Sequence, residues 1–186
     1  NGWTWGPTTE YQRAAALSLA RGASGEYYVG GTFRGPNIDF DPGPGQQLRT
    51  PNHRTDGYLL RLTSAGAFEW VDHWMPGFAG DGDSGRDIVV DTQNNPVVVG
   101  TTGPNDTQAT ARKYSPSGGL QWNRDWGGVD FDGANGIDTI DGTSLVITGW
   151  FEVTSDFGFG SGSDVRSTVS GASDFFLVRL QPDGTR

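Results

Sequence analysis

The chain has 186 residues, with 30 glycines, 10 prolines, 12% aromatic residues and a formal net charge of −9. The absence of cysteine excludes a disulfide framework and thiolate metal sites. The acidic balance argues against nucleic acid or an anionic membrane as partner, because both need a basic footprint.

This composition suits a single all-β domain of short strands and many turns. No apolar run approaches the roughly 18 residues of a membrane helix, so membrane insertion is not expected. The sequence opens on Asn1 without a legible signal peptide, which is the pattern of a processed product or a piece of a longer protein.

Taken in order, the chain repeats itself. Trp3-Thr4-Trp5-Gly6 reads as the end of a strand. Three repeats follow, each with the same succession of strand-like segments. The first segment is Ala15–Leu19, then Arg86–Val90, then Asn135–Ile140. The second is Tyr27–Gly31, then Val97–Gly100, then Val146–Gly149. The third is Tyr58–Leu62, then Ala111–Tyr114, then Phe176–Leu180. A fourth, aromatic segment follows twice, carrying Trp70 and Trp74, then Trp122 and Trp126. Positions i and i+4 of a strand share a face, so each tryptophan pair forms a ridge that must be covered.

The registers agree between repeats. Gly31 and Gly100 are 69 residues apart, as are Trp5 and Trp74. The basic residues Arg61, Lys113 and Arg179 each stand five residues before a turn glycine, Gly66, Gly118 and Gly184. No segment sustains a 3.6-residue period, and Ala14–Arg21 is the one place where a short helix could intrude.

Two repeats also share an Asp-Phe element, Asp39-Phe40 and Asp156-Phe157, and the later Asp56–Leu62 and Asp174–Leu180. On these residues the chain resembles the bacterial SBBP β-propeller repeat family, found in large secreted and cell-surface proteins. The resemblance covers nearly the whole chain and implies a propeller-like array of about three four-stranded antiparallel blades. It also implies an extracellular or cell-surface location. It carries no shared catalytic motif.

One repeat domain over 1–186 is therefore expected. Residues 1–9 give the fourth strand of a split blade, 10–75 the first blade, 76–126 the second, and 127–186 a third that lacks its fourth strand. Three blades fall short of the usual ring of roughly 4–8. The ring is then incomplete or completed by a neighbouring chain. The expected partners are other repeats of the same protein or a second copy, joined head to tail by strand addition into a ring or filament.

Antiparallel order should bring the long second-to-third and fourth-to-first connections to one acidic side. On that side Asp81, Asp83, Asp87, Asp130 and Asp132 suggest a hard cation, Ca²⁺, bound by closely spaced oxygens. The alternative is solvated Asp-Gly turns. Phe78, Phe131, Asp39 and Asp41 are the candidate ligand-binding residues of this side, for a calcium-dependent glycan module. Trp5, Trp70, Trp74, Trp122 and Trp126 are expected to pack blade on blade.

His53 and His73 have no ligand partner at useful spacing, and Ser84 beside Asp81 and Asp83 has no base to activate it. The expectation is a non-enzymatic structural or interaction module. A hydrolase fragment is the further alternative, since a glycosidase carboxylate pair is recognised by geometry and not by sequence.

Overall fold

The computed structural model describes residues 12–52, 54–74, 82–103, 107–159, 162–169 and 171–186. Trp5, His53, Phe78 and Asp81, and the strand expected over residues 1–9, lie outside them.

The described residues form strands and no helix. The first sheet contains β1 (Arg13–Arg21), β2 (Tyr27–Arg34), β5 (Asp56–Leu62) and β6 (Phe68–Trp74), with a small hairpin, β3 (Ile38–Asp39) and β4 (Leu48–Arg49), inserted after β2. The second is β7 (Ser84–Val90), β8 (Pro96–Thr102), β9 (Gln108–Tyr114) and β10 (Leu120–Trp126). The third is β11 (Asp132–Thr139), β12 (Leu145–Glu152) and β15 (Ser173–Leu180), with the hairpin of β13 (Thr154–Asp156) and β14 (Val165–Ser167) inserted after β12. Every pairing is antiparallel and joins neighbours in the sheet order. Among the described residues the third sheet has three strands, and Ala14–Arg21 is strand throughout.

The same irregularities recur in each sheet. The first strand is bulged where Leu17, Arg86 and Asn135 interrupt the pairing with the second strand. Opposite each bulge stands a glycine: Gly31, Gly100 and Gly149. A Cβ on these glycines would run into the backbone oxygens of Ala15, Ser84 and Gly133 respectively. The bulge bends the first strand onto its neighbour, and only a residue without a side chain leaves room for it. The fourth strands carry a second bulge, at Glu69 and at Gln121.

The sheets lie side by side in chain order. At one edge β1 packs against β7, and β7 against β11. Backbones nearly touch there: a Cβ on Gly85 would stand 2.9 Å from the Tyr58 carbonyl oxygen. One apolar cluster fills the space between the first and second sheets, with Tyr28, Leu59, Trp74, Ile88, Val98 and Tyr114. Another fills the space between the second and third, around Val97, Val99, Trp126, Ile147, Phe157 and Phe176. A third covers the other side of the first sheet, where Ile38 and Phe40 of the inserted hairpin pack on Phe33, Tyr58 and Leu60.

The Asp-Phe element has a structural explanation. Asp39 Oδ1 accepts from the amides of Asp41 at 3.0 Å and Gln47 at 2.9 Å. Asp156 Oδ1 accepts from Gly158 at 2.9 Å and Asp164 at 2.8 Å. The carboxylate ties the inserted hairpin shut, and the following Phe40 or Phe157 enters the core. Phe33–Phe40 and Phe151–Phe157 meet edge to face with centroids 5.1 and 5.5 Å apart.

Candidate functional site

The feature that repeats with the most chemistry is the joint between sheets. Trp70 Nε1–H donates to the Pro116 carbonyl at 3.0 Å, across to the turn of the second sheet. Trp122 Nε1–H donates to the Pro182 carbonyl at 3.0 Å, across to the turn of the third. Each indole also lies on the turn glycine beyond that proline. A Cβ on Gly118 would stand 2.9 Å from the Trp70 ring, and one on Gly184 3.0 Å from the Trp122 ring. Both glycines have positive φ, 88° and 78°, as their turns require. A ring laid flat on a turn therefore needs glycine for two separate reasons.

Deeper in the joint, Trp74 and Trp126 are buried. Trp74 Nε1–H reaches the Thr101 carbonyl at 3.4 Å, and the Arg112 guanidinium lies 5.2 Å from the Trp74 ring centroid. Trp126 meets Phe159 and Phe176 edge to face. Each hydrogen bond contributes about 1 kcal/mol net, whereas a buried Trp truncated to Ala typically costs about 3–5 kcal/mol. Ring burial holds the joint and the N–H bonds fix its register. Further bonds tie the hairpin turns of neighbouring sheets: Ala23 N–H to Asn94 Oδ1 at 2.9 Å, and Thr92 N–H to the Gly142 carbonyl at 2.9 Å.

The basic residue before each turn is part of the same frame. Lys113 is buried against Asp91 at 2.8 Å and also donates to Pro182, the carbonyl that receives Trp122. Burial alone would raise the Asp91 carboxyl, but hydrogen bonds from Lys113 and Asn95 hold it below its ordinary value. Arg61 contacts Glu69 at 2.7 Å and Glu26 at 3.5 Å. Arg179 donates only to Ser144 Oγ, at 3.4 Å, among the interactions of the described residues. The fixed spacing from base to turn glycine was legible in the sequence. The ion pairs were not, because their acids come from different strands.

The loop-side residues fall into separate places. Asp83 is buried where β7 begins, with Oδ1 accepting from Gly103 N–H at 2.9 Å. Burial pushes its carboxyl up to about 7. It lines a cleft of about 510 Å³ between the first two sheets with Leu17, Thr32, Ser84 and Arg86. Asp132 holds the corresponding place at the start of β11, with Oδ2 accepting from Gly128 N–H at 2.9 Å, and burial pushes it up to about 6. Asp87 Oδ2 accepts from Ile137 N–H at 2.9 Å and so ties β7 to β11. Asp130 stands exposed on a turn at φ 72°, and Phe131 beside it is exposed as well. Asp39 and Asp41 shape their own hairpin loop, Asp41 Oδ1 accepting from Gly43 at 2.7 Å. Among the described residues no three His, Asp or Glu side chains gather.

Sequence reasoning missed the Asp56–His73 pair. Asp56 is buried on β5, and its Oδ2 lies 2.7 Å from His73 Nδ1 on β6. Asn52 N–H donates to the same oxygen at 3.3 Å, so the carboxylate anchors a loop as well as the imidazole. The two residues are 17 apart in sequence, and only the register of β5 with β6 brings them together.

No protein-family model matches the sequence, and no curated protein matches it.

Proposed function

We propose that the chain is a non-enzymatic structural and interaction module of the SBBP β-propeller type, placed outside the cell or on its surface, whose three sheets act as successive blades. In this reading the module joins to further repeats, of the same protein or of another copy, through the edge of its third sheet. The observation that carries it is the joint itself. The indole, its proline carbonyl acceptor and its turn glycine occur in the same arrangement between the first and second sheets and between the second and third. A contact that recurs at successive joints is a device for adding units. The polar side chains around it serve the frame, as the Lys113–Asp91 and Arg61–Glu69 pairs do.

The test is to complete the third sheet artificially. A copy of residues 121–127 is appended directly after Arg186, where the repeat register calls for a fourth strand. The melting temperature should rise by several degrees, and a scrambled appendage should leave it unchanged. Equal melting of both extended chains would contradict the reading.

A further inference from the structure

We infer that Asn135 is a site of spontaneous deamidation, in which the Gly136 backbone nitrogen displaces the side-chain amide and the acid formed at position 135 becomes an ion-pair partner for Arg86, locking the second sheet to the third.

The sequence supplies the reacting pair. Glycine has no side chain to hinder attack by its nitrogen on the Cγ of the residue before it. Of the asparagines among the described residues, Asn135 alone precedes a glycine; Asn37, Asn52, Asn94, Asn95 and Asn123 precede larger residues. Asn135 is also the extra residue of the β11 bulge. Ala134 pairs with Gly149 and Gly136 with Thr148, and Asn135 stands between them without a place in the ladder. The residue is exposed, so water and base reach it.

The fold supplies the activating group and its later partner. Arg86 is the bulge residue of β7, as Asn135 is of β11. Its Nη1–H donates to Asn135 Oδ1 at 2.7 Å, and its Nε–H donates to Ser84 Oγ at 3.1 Å. A cation on the carbonyl oxygen draws electron density from Cγ and stabilises the oxyanion that forms when nitrogen adds. Arg86 is half-buried, burial holds its guanidinium below its ordinary value, and among the described residues no carboxylate pairs with it. A carboxylate in place of the carboxamide gives this cation its counter-charge at a contact that already exists. The bulge itself does not require arginine, since the matching position of the first sheet is Leu17.

The step balances within the chain and water. The Gly136 nitrogen bonds to Asn135 Cγ and gives up its proton, the Cγ–Nδ2 bond breaks, and ammonia leaves. Water then opens the cyclic imide. Opening at the side-chain carbonyl restores the ordinary backbone with an acid at position 135. Opening at the main-chain carbonyl gives the isoaspartyl form, whose backbone is longer by one carbon. A bulge accommodates that carbon, because position 135 is unpaired and the pairs on either side keep their partners.

The test follows the folded chain through incubation at mildly alkaline pH, with peptide mapping by mass spectrometry. Asn123 is the internal reference, an exposed strand asparagine followed by Arg124. Position 135 should convert at least tenfold faster than Asn123. Arg86→Gln should slow conversion at position 135 at least threefold in the folded chain and leave it unchanged in urea, where the contact is absent. Circular dichroism melts check that the variant is folded during incubation; if it is not, Arg86→Leu takes its place, with the residue type of the first-sheet bulge. A folded-chain rate at position 135 no greater than that of Asn123 overturns the inference, as does a folded rate indifferent to the loss of Arg86. The ion pair is read separately. Asn135→Asp should raise the melting temperature of the unaltered chain and fail to raise that of the Arg86 variant. The same change in both backgrounds overturns Arg86 as the partner of the new acid.

Discussion

Single glycines and carboxylates hold the joint. Gly118 and Gly184 need positive φ and also lie under an indole. Alanine at either position adds a clash to a backbone penalty. Gly118→Ala and Gly184→Ala should each cost about 2–4 kcal/mol in urea unfolding. Gly171 has φ 69° with nothing within 4 Å of its Cβ position, so Gly171→Ala should cost only about 1 kcal/mol. Equal losses at all three positions would show that the rings do not lie on the turns. Asp83 gives a pH test. Its carboxyl goes from an ordinary 3.8 up to about 7, chiefly through burial, so the folded chain holds the proton more tightly than the unfolded one. Stability contributed at this site therefore falls as pH rises from about 4 to about 7 and stays low above that. Asp83→Asn keeps an acceptor for Gly103 N–H and removes the charge. It should raise stability at pH 8 by on the order of 2 kcal/mol and lose that advantage near pH 4. An advantage that is independent of pH would rule out the buried charge as its source.

Elements differ in how far their sequence announces them. The tryptophan strands, the turn glycines and the order of segments were readable because each recurs at a fixed offset. The Asp-Phe element was visible as a repeated dipeptide, yet its form as a carboxylate-tied hairpin depends on amides up to eight residues away. The bulges at Leu17, Arg86 and Asn135 were hidden, since no residue type marks a bulge when the required glycine is on the partner strand. The buried Lys113–Asp91 pair was hidden for a similar reason. Its energetics can be separated from those of the exposed pairs. Lys113→Ala leaves a buried carboxylate uncompensated and should cost about 3–5 kcal/mol. Glu69→Ala breaks a partly exposed pair with Arg61 and should cost about 1 kcal/mol or less. Chemical denaturation of both variants checks the ranking, and a Lys113→Ala loss as small as that of Glu69→Ala would contradict it.

At the scale of the whole molecule, three small sheets are chained by one kind of contact used twice. The loop-side aspartates anticipated for a cation or ligand are distributed among separate sheets, where Asp83, Asp87 and Asp132 each accept bonds from backbone amides. That placement follows from register and strand order, which side-chain types alone do not reveal. The central claim is that an indole N–H on one sheet is committed to the turn of the next. Hydrogen exchange at the Trp70 and Trp122 indole N–H groups, followed by ¹H–¹⁵N NMR, tests it most directly. Both should exchange at least about a hundredfold more slowly than a free indole, with the protection of neighbouring β9 amides, and Gly118→Ala should release Trp70 alone. Exchange of both at the free-indole rate in the folded chain would contradict the account.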